Sequence, residues 1–543
     1  MTKVIVIGLD GGTWDLLMPL AAEGFLPNLH RLVQEGSWGE LESTIPPVTA
    51  PAWTSFATGK NPGKTGVFDF LVPRNSLTDL SPVTSRDISG KTFYEIIDDY
   101  GLSTVLINLP LSYPPRTQQP TITCMLTQGS QFIFPSGLTQ TIPDLADYRL
   151  VPDFNLRAHG RLEEYAQDIR KLEKVRFKGA QKLFQTEWDF FFLLFSGTDW
   201  IQHEFYSKLL SDSLPREHAA FQLLRDIDQY LGWFLEHLPR ETHLLLMSDH
   251  GFRPYKGVFL LNQWLKEQGL LHSDLVGRNV RVYSHLFEKR MAEADERKAT
   301  GGNRMAAVRA SVKMLLAEEM QHLRSGRLLE VIEELNPIRL GKQASVHYPS
   351  TVAACTSPQL SGVYLNSATR FQDGLVPDQD LISIKNRIIS GLSGLRDPAT
   401  QLGAFASVLD NSEAYSGDKA HLGPDIVVRP DNWLVISFVP KTTRTSLFRP
   451  KKTDSHSAMG MFLVYGPRIK GNHNIRDVRI QDIAPTVLRL LGVPLPGDLD
   501  GRVVTELFDT DVPCATDAMG NARVQEVRRI GARIGKLRDC RSM

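Results

Sequence analysis

Asp249 and His250 stand side by side at the end of the apolar run His243–Met247, and Gly251 behind them permits a tight turn. A carboxylate and an imidazole delivered together to a strand end are seldom needed for stability. Buried there, they cost free energy unless a cation or hydrogen bonds compensate. Asp199 and His203 follow a second apolar run, Phe190–Phe195, and lie one turn apart on one face if a helix begins near Asp199. In isolation a helix-surface hydrogen bond explains that pair equally well. Asp10 follows the first apolar run in Gly8-Leu9-Asp10-Gly11-Gly12, and His456 precedes the run Met461–Tyr465. Alone, Asp10 reads as a chain-turning aspartate, and a single histidine is usually not a ligand. Together the six residues supply enough oxygen and nitrogen donors for two divalent ions. The chemistry of such a centre is metal-assisted hydrolysis.

Thr49 is the candidate nucleophile. Pro51 suits a first helical turn, which places Thr49 at a helix N-terminus, where backbone N–H groups and the helix dipole favour a phosphoryl anion. Read by itself, Thr49 is more simply an N-cap threonine. Asn61-Pro62-Gly63-Lys64-Thr65 imitates a phosphate-binding loop. Position 58 is threonine where that motif requires glycine, and the strand–loop–helix context is missing, so nucleotide binding there is excluded.

The elements that would position these residues are visible as short apolar runs: Val4–Gly8, Ser103–Ile107, Phe190–Phe195, His243–Met247, Ile426–Val428 and Met461–Tyr465. Runs of this kind suit a parallel sheet buried on both faces. Helical patterns alternate with them at Pro27–Glu35, Thr92–Tyr100, Arg161–Phe184, His218–His237 and Asp482–Leu491, the last closed by Gly492. The expected fold is therefore α/β, a doubly wound, mostly parallel sheet. We expect a core over 1–274 and 341–510, a loop-rich insertion over 72–158, a helical cap over 275–340 and a tail over 511–543. The tail repeats Val524, Val527, Ile530, Ile534 and Leu537 among basic residues. It could lie on an anionic membrane, though packing on its own domain is the simpler reading.

Composition excludes several classes. The 543 residues carry 61 basic and 61 acidic side chains, so no global field points to specific nucleic-acid binding. Cys124, Cys355, Cys514 and Cys540 are scattered and suggest neither a disulfide framework nor a thiolate zinc site. The chain starts almost at once with a strand, and no run reaches the length of about 20 residues that spans a bilayer. The expectation is a cytoplasmic protein. Its oligomeric state is not legible.

In order, Asp10, Thr49, Asp199/His203, Asp249/His250 and His456 resemble the alkaline phosphatase superfamily, in its type I phosphodiesterase/nucleotide pyrophosphatase branch. Ala57–Gly63, Leu261–Leu265, Gly362–Asn366, Asp482–Leu488 and Asp500-Gly501-Arg502 agree, so the resemblance spans nearly all of residues 3–508. It implies one ion held by Asp10, Thr49, Asp249 and His250, and a second held by Asp199, His203 and His456. Zinc is the first expectation for both, manganese the second. It further implies attack by Thr49 on phosphorus and a phosphothreonine intermediate, on a small phosphorylated substrate. Two positions depart from the pattern. Thr65 stands where many relatives have histidine, and Val67-Phe68-Asp69-Phe70 stands where nucleotide pyrophosphatases place a phosphate-binding asparagine. The sulfatase signature Cys/Ser-x-Pro-x-Arg is missing around Thr49. The alternatives are a phosphomonoesterase, phosphonate hydrolase or phosphotransferase on the same centre, or a binding relative without catalysis.

Overall fold

Each long apolar run becomes a strand with both faces covered, as in Phe190–Phe195 and Thr242–Met247, where all six residues are buried. The computed structural model describes residues 2–77, 79–275, 344–346, 350–357, 360–398, 401–430, 434–437 and 446–509. The helical cap expected over 275–340 (apart from Leu275) and the tail over 511–543 lie outside the described residues.

The main sheet is built from β1 (Lys3–Leu9), β2 (Ser37–Glu42), β3 (Thr104–Ile107), β4 (Thr121–Ile122), β5 (Ile133–Phe134), β6 (Phe190–Phe195) and β7 (Thr242–Met247). A separate three-stranded sheet leaves it, in which β8 (Gly251–Leu260) pairs with β9 (Phe448–Ser457) on one side and with Leu434–Ser437 on the other, and β10 (Met459–Tyr465) returns to the main sheet. The order is β2-β10-β7-β1-β6-β3-β4-β5, with the short strands His473–Asn474 and Val478–Arg479 beside β2. β7, β1, β6, β3 and β4 run parallel, whereas β10 is antiparallel to both neighbours and β5 to β4. The sheet is mixed but parallel at its centre. The segment 72–158 contributes β3, at the run Ser103–Ile107, and the two-residue strands β4 and β5.

Alternation along the strands divides the core in two. Ile5, Ile7, Phe191, Leu193, Leu244 and Leu246 face one layer, with α2 (Leu162–Phe184), α3 (Gly197–Leu210) and α4 (Ala219–His237). Val4, Val6, Phe190, Phe192, Leu194, Leu245 and Met247 face the other, under α1 (Thr49–Thr58) and the helix Ile483–Leu490. Helices on both faces make the sheet doubly wound. α1 packs directly on β1 because position 8 is glycine: a Cβ there would lie 2.8 Å from the Trp53 ring.

Residues 353–430 form a further, antiparallel four-stranded sheet with a hydrophobic cluster of its own. Ile426–Pro430 belongs there and not in the parallel sheet, although its run Ile426–Val428 is buried in the way a parallel strand would be. Burial on both faces shows that a strand is enclosed, not which sheet encloses it. Among the described residues no helix is long and apolar enough to cross a membrane.

Phe192 joins the strand that leads to Asp199 to the helix that carries Thr49. Its ring lies 5.5 Å from Trp53 and 5.4 Å from Phe56, centroid to centroid. Phe192→Ala should therefore cost about 3–5 kcal/mol of stability, read as a lowered denaturant midpoint. A change under about 1 kcal/mol would mean that this layer does not support the helix.

Candidate metal centre

The parallel register explains how positions far apart in sequence meet. Leu9 of β1 pairs with Phe195 of β6, and Gly8 pairs with Met247 of β7. The next residues of three adjacent strands are therefore Asp10, the turn into α3, and Ser248-Asp249-His250, all at the carboxyl edge where open α/β sheets bind ligands. The turns are tied to one another. Thr198 Oγ1 donates to the Asp10 carbonyl at 2.7 Å, and Gln202 Nε2 donates to the Gly11 carbonyl at 2.9 Å. Ser248 Oγ donates to the Gly12 carbonyl and accepts from Met461 N, each at 2.8 Å. Gly11 has φ +66°, which frees its N–H to reach Asp249 Oδ1 at 3.2 Å.

Two triads result. Asp10, Asp249 and His250 form one, and Asp199, His203 and His456 form the other; within each, ligand atoms lie within 4.8 Å of one another. His250 Nε2 is 3.6 Å from Asp10 Oδ1 and 3.2 Å from Asp249 Oδ2. Asp199 Oδ1 is 3.6 Å from His203 Nε2 and 3.7 Å from His456 Nε2. The triads adjoin, because the His250 and His456 rings stack with centroids 3.7 Å apart. Phe252 packs edge-on against His203 and His456 and closes one side.

His456 precedes the strand β10, and it lies inside β9, paired with Phe252 of β8. Thr49 is the first residue of α1, not its N-cap; Val48 holds that position. The N-cap reading of Thr49 is thereby replaced. Its Oγ1 lies 3.5 Å from His250 Nε2, beside the first triad.

The donor set fits divalent metal ions. His250 Nδ1 lies 3.1 Å from the Gly251 carbonyl and His456 Nδ1 lies 2.9 Å from the Pro47 carbonyl. A carbonyl only accepts, so each Nδ1 carries a proton and Nε2 is the ring nitrogen turned toward the carboxylates. Nitrogen and oxygen donors thus converge on one point in each triad, where a cation would fit. The spacing agrees. Two donors at ~2.1 Å from one tetrahedral ion stand about 3.4 Å apart, and the Nε2–carboxylate distances run from 3.2 to 3.7 Å.

A sheet wound on both sides with a carboxylate–imidazole cleft at its carboxyl edge defines a metallohydrolase of the alkaline phosphatase superfamily. The chain belongs to the type I phosphodiesterase/nucleotide pyrophosphatase family, whose model matches residues 4–338. It is a metal-dependent hydrolase of phosphoric ester or phosphoanhydride bonds. Phosphonoacetate hydrolase from Sinorhizobium meliloti 1021, solved in complex with phosphonoformate, is similar in fold. The TM-score is 0.53 at 14% identity, over 90% of this chain and 96% of that one. Murine ectonucleotide pyrophosphatase/phosphodiesterase 5 has a TM-score of 0.49 at 13% identity, over 93% of this chain and 100% of that one. Its human counterpart has 0.48 at 12%, over 94% and 100%. No curated protein matches the chain.

The two departures from the family pattern are both buried. Thr65 Oγ1 donates to the Pro62 carbonyl within its own turn, and Val67, Phe68, Asp69 and Phe70 are all buried. Within that stretch, burial pushes the Asp69 carboxyl up to about 6 from 3.8, opposed by hydrogen bonds from Ser357 and the Phe70 N–H. The folded state thus holds a proton that the unfolded chain releases at lower pH. The contribution is fully present below 3.8 and is lost as pH rises through about 6, by about 3 kcal/mol at most. Asp69→Asn should therefore melt above the parent at pH 8, with the gap closing near pH 4. A gap that does not change with pH would show that this carboxyl titrates normally.

Proposed function

We propose that the chain is a phosphodiesterase that works through a phosphothreonine at Thr49, with two divalent ions, zinc first and manganese second. Asp10, Asp249 and His250, with Thr49, would hold one ion, and Asp199, His203 and His456 the other. The observation that supports this most is the position of Thr49 Oγ1, 3.5 Å from the Nε2 of a first-triad ligand whose ring stacks on a second-triad ligand. When bound, such ions lower the pKa of a coordinated hydroxyl and neutralise charge on both apical oxygens of an in-line displacement.

The chain's own groups would supply positioning, which carries most of the acceleration in phosphoryl transfer. Thr49 Oγ1 attacks phosphorus, its proton passes through solvent to the leaving oxygen, and the bond from phosphorus to that oxygen breaks. The first turn of α1 directs its N–H groups and dipole at the phosphoryl oxygens during this step. Water then attacks the phosphothreonine, the phosphorus–Oγ1 bond breaks, and Thr49 is restored. Two inversions give net retention at phosphorus. Burial of the acids and imidazoles keeps bulk water from competing with the fixed dipoles.

A second reading, a phosphomonoesterase, phosphonate hydrolase or phosphotransferase, draws support from Val67-Phe68-Asp69-Phe70. That buried stretch carries no amide side chain, whereas nucleotide pyrophosphatases place a phosphate-binding asparagine there. The soluble, cytoplasmic setting, the placement of a helical cap over 275–340 and a surface-packed tail belong to the same proposal.

Thr49→Ala should lower kcat by about 10³-fold or more while leaving metal content unchanged, measured by turnover and by metal analysis of the same preparation. Turnover close to that of the parent would remove Thr49 as nucleophile. Relative rates on a bis-aryl phosphate and an aryl monophosphate decide between the readings, and a monoester preference would favour the second. Parent protein with neither bound metal nor trapped phosphothreonine would point to a binding relative.

A further inference from the structure

Asp199 hangs from the first turn of α3, and a buried acid elsewhere in the fold holds that turn. Glu173, in the middle of α2, accepts a hydrogen bond at 2.6 Å from the N–H of Gly197, the first residue of α3. The same carboxylate pairs with Arg176 at 2.5 Å, and both side chains are fully buried. Arg176 Nε in turn donates to the Tyr148 hydroxyl at 3.0 Å. There is no slack at the contact, since a Cβ on Gly197 would lie 2.8 Å from Glu173 Oε1. From the opposite side Asn108 Nδ2 donates to Ser196 Oγ at 2.8 Å and to the Leu194 carbonyl at 3.0 Å.

A buried ion pair is not a cheap way to fill a core, because an apolar pair of equal volume is often as stable or more so. What an apolar pair cannot do is accept from a first-turn N–H, one of the donors that a helix leaves without an internal partner. A charged acceptor at this end also interacts favourably with the helix dipole. We propose that Glu173 is a positioning residue for the second triad: by gripping Gly197 it fixes the depth and rotation of the α3 first turn. It thereby sets where Asp199 Oδ1 stands, 3.7 Å from His456 Nε2. Glu173 touches neither substrate nor ligand atoms, and it acts only through the backbone of α3. The proposal rests on the reading that Asp199, His203 and His456 hold an ion.

Two substitutions separate reach from charge. Glu173→Asp keeps the charge opposite Arg176 but draws the oxygen back by one methylene. Glu173→Gln keeps an oxygen at full reach but leaves Arg176 facing a neutral group. Calorimetric titration of the metal-free full chain with Zn²⁺ or Mn²⁺ reads the binding steps one by one, and thermal melting reads stability. Glu173→Asp should weaken one of the two steps by about tenfold or more and leave the other unchanged. Glu173→Gln should stay within about threefold on both while melting lower than Glu173→Asp. A group that merely stabilises the fold would give one ranking for both measurements; a positioning group gives opposite rankings. Unchanged affinity in Glu173→Asp, or weaker binding in Glu173→Gln than in Glu173→Asp, overturns the proposal. Exchange of the Gly197 amide, followed without metal, should quicken about tenfold in Glu173→Asp. That measurement decides the grip even if the parent binds fewer than two ions, a result that would instead sink the ligand assignment.

Discussion

Three buried carboxylates at one sheet edge are the constraint around which the rest of this structure is arranged. Two of them, Asp10 and Asp249, place oxygens within 4.8 Å of each other. At that distance like charges repel by about 3 kcal/mol with an effective dielectric constant near 20. The Gly11 N–H and the His250 ring beside both carboxylates offset part of it. The imidazoles turn Nε2 inward, since their Nδ1 atoms face the carbonyls of Gly251 and Pro47. Cations inside such a cluster would offset the rest, and the scaffold must hold it together. The ties among the strand-end turns do that holding: Thr198 to Asp10, Gln202 to Gly11, and Ser248 to Gly12 and Met461.

Parallel strands suit this task for a geometric reason. Their carboxyl ends lie side by side, so Asp10, Asp249 and Asp199, one, two and four residues beyond three neighbouring strands, arrive at one place without any long-range adjustment. The register Leu9–Phe195 and Gly8–Met247 achieves that with offsets of a single residue. The antiparallel pair of β8 and β9 brings in the remaining candidate ligand by another route. β8 starts where His250 ends, and its partner strand carries His456 back opposite Phe252. Supports built on strands and helix starts hold side chains more tightly than loops do.

This division accounts for what the sequence discloses. β1, β6 and β7 are legible because burial on both faces demands unbroken apolar runs, and the candidate ligands that follow them are legible because charged residues then stand out. β9 is not legible. Arg449, Lys451 and Lys452 are exposed along it and Asp454 is half-buried, so no apolar period marks it as a strand. Ile426–Val428 is recognisable as a strand, but local pattern carries no information about which sheet receives it. Thr198, Gln202 and Ser248 are invisible for a different reason, since small polar residues near a turn look alike whether or not they bridge two loops. Glu173 is the extreme case. It sits in the helix Leu162–Phe184 among many charged residues, and only the packing of α2 against α3 distinguishes it from a solvated one.

The helix that carries Thr49 offers the sharpest contrast between residue type and residue position. All ten residues of α1 are buried, three of them threonines. Thr54 Oγ1 donates to the Ala50 carbonyl and Thr58 Oγ1 to the Thr54 carbonyl, each at 2.8 Å, so both hydroxyls are absorbed by their own helix. Thr49 cannot follow them, because as the first helical residue it has no helical carbonyl four positions earlier. Its hydroxyl is directed instead toward His250. One side chain, placed at three heights in one helix, is structural twice and is turned toward the site once. The selecting factor is the unmatched start of the helix, which also gathers the N–H groups that a phosphoryl anion needs. Moving the threonine a single turn into α1 would keep its chemistry and its burial, yet return its hydroxyl to the backbone.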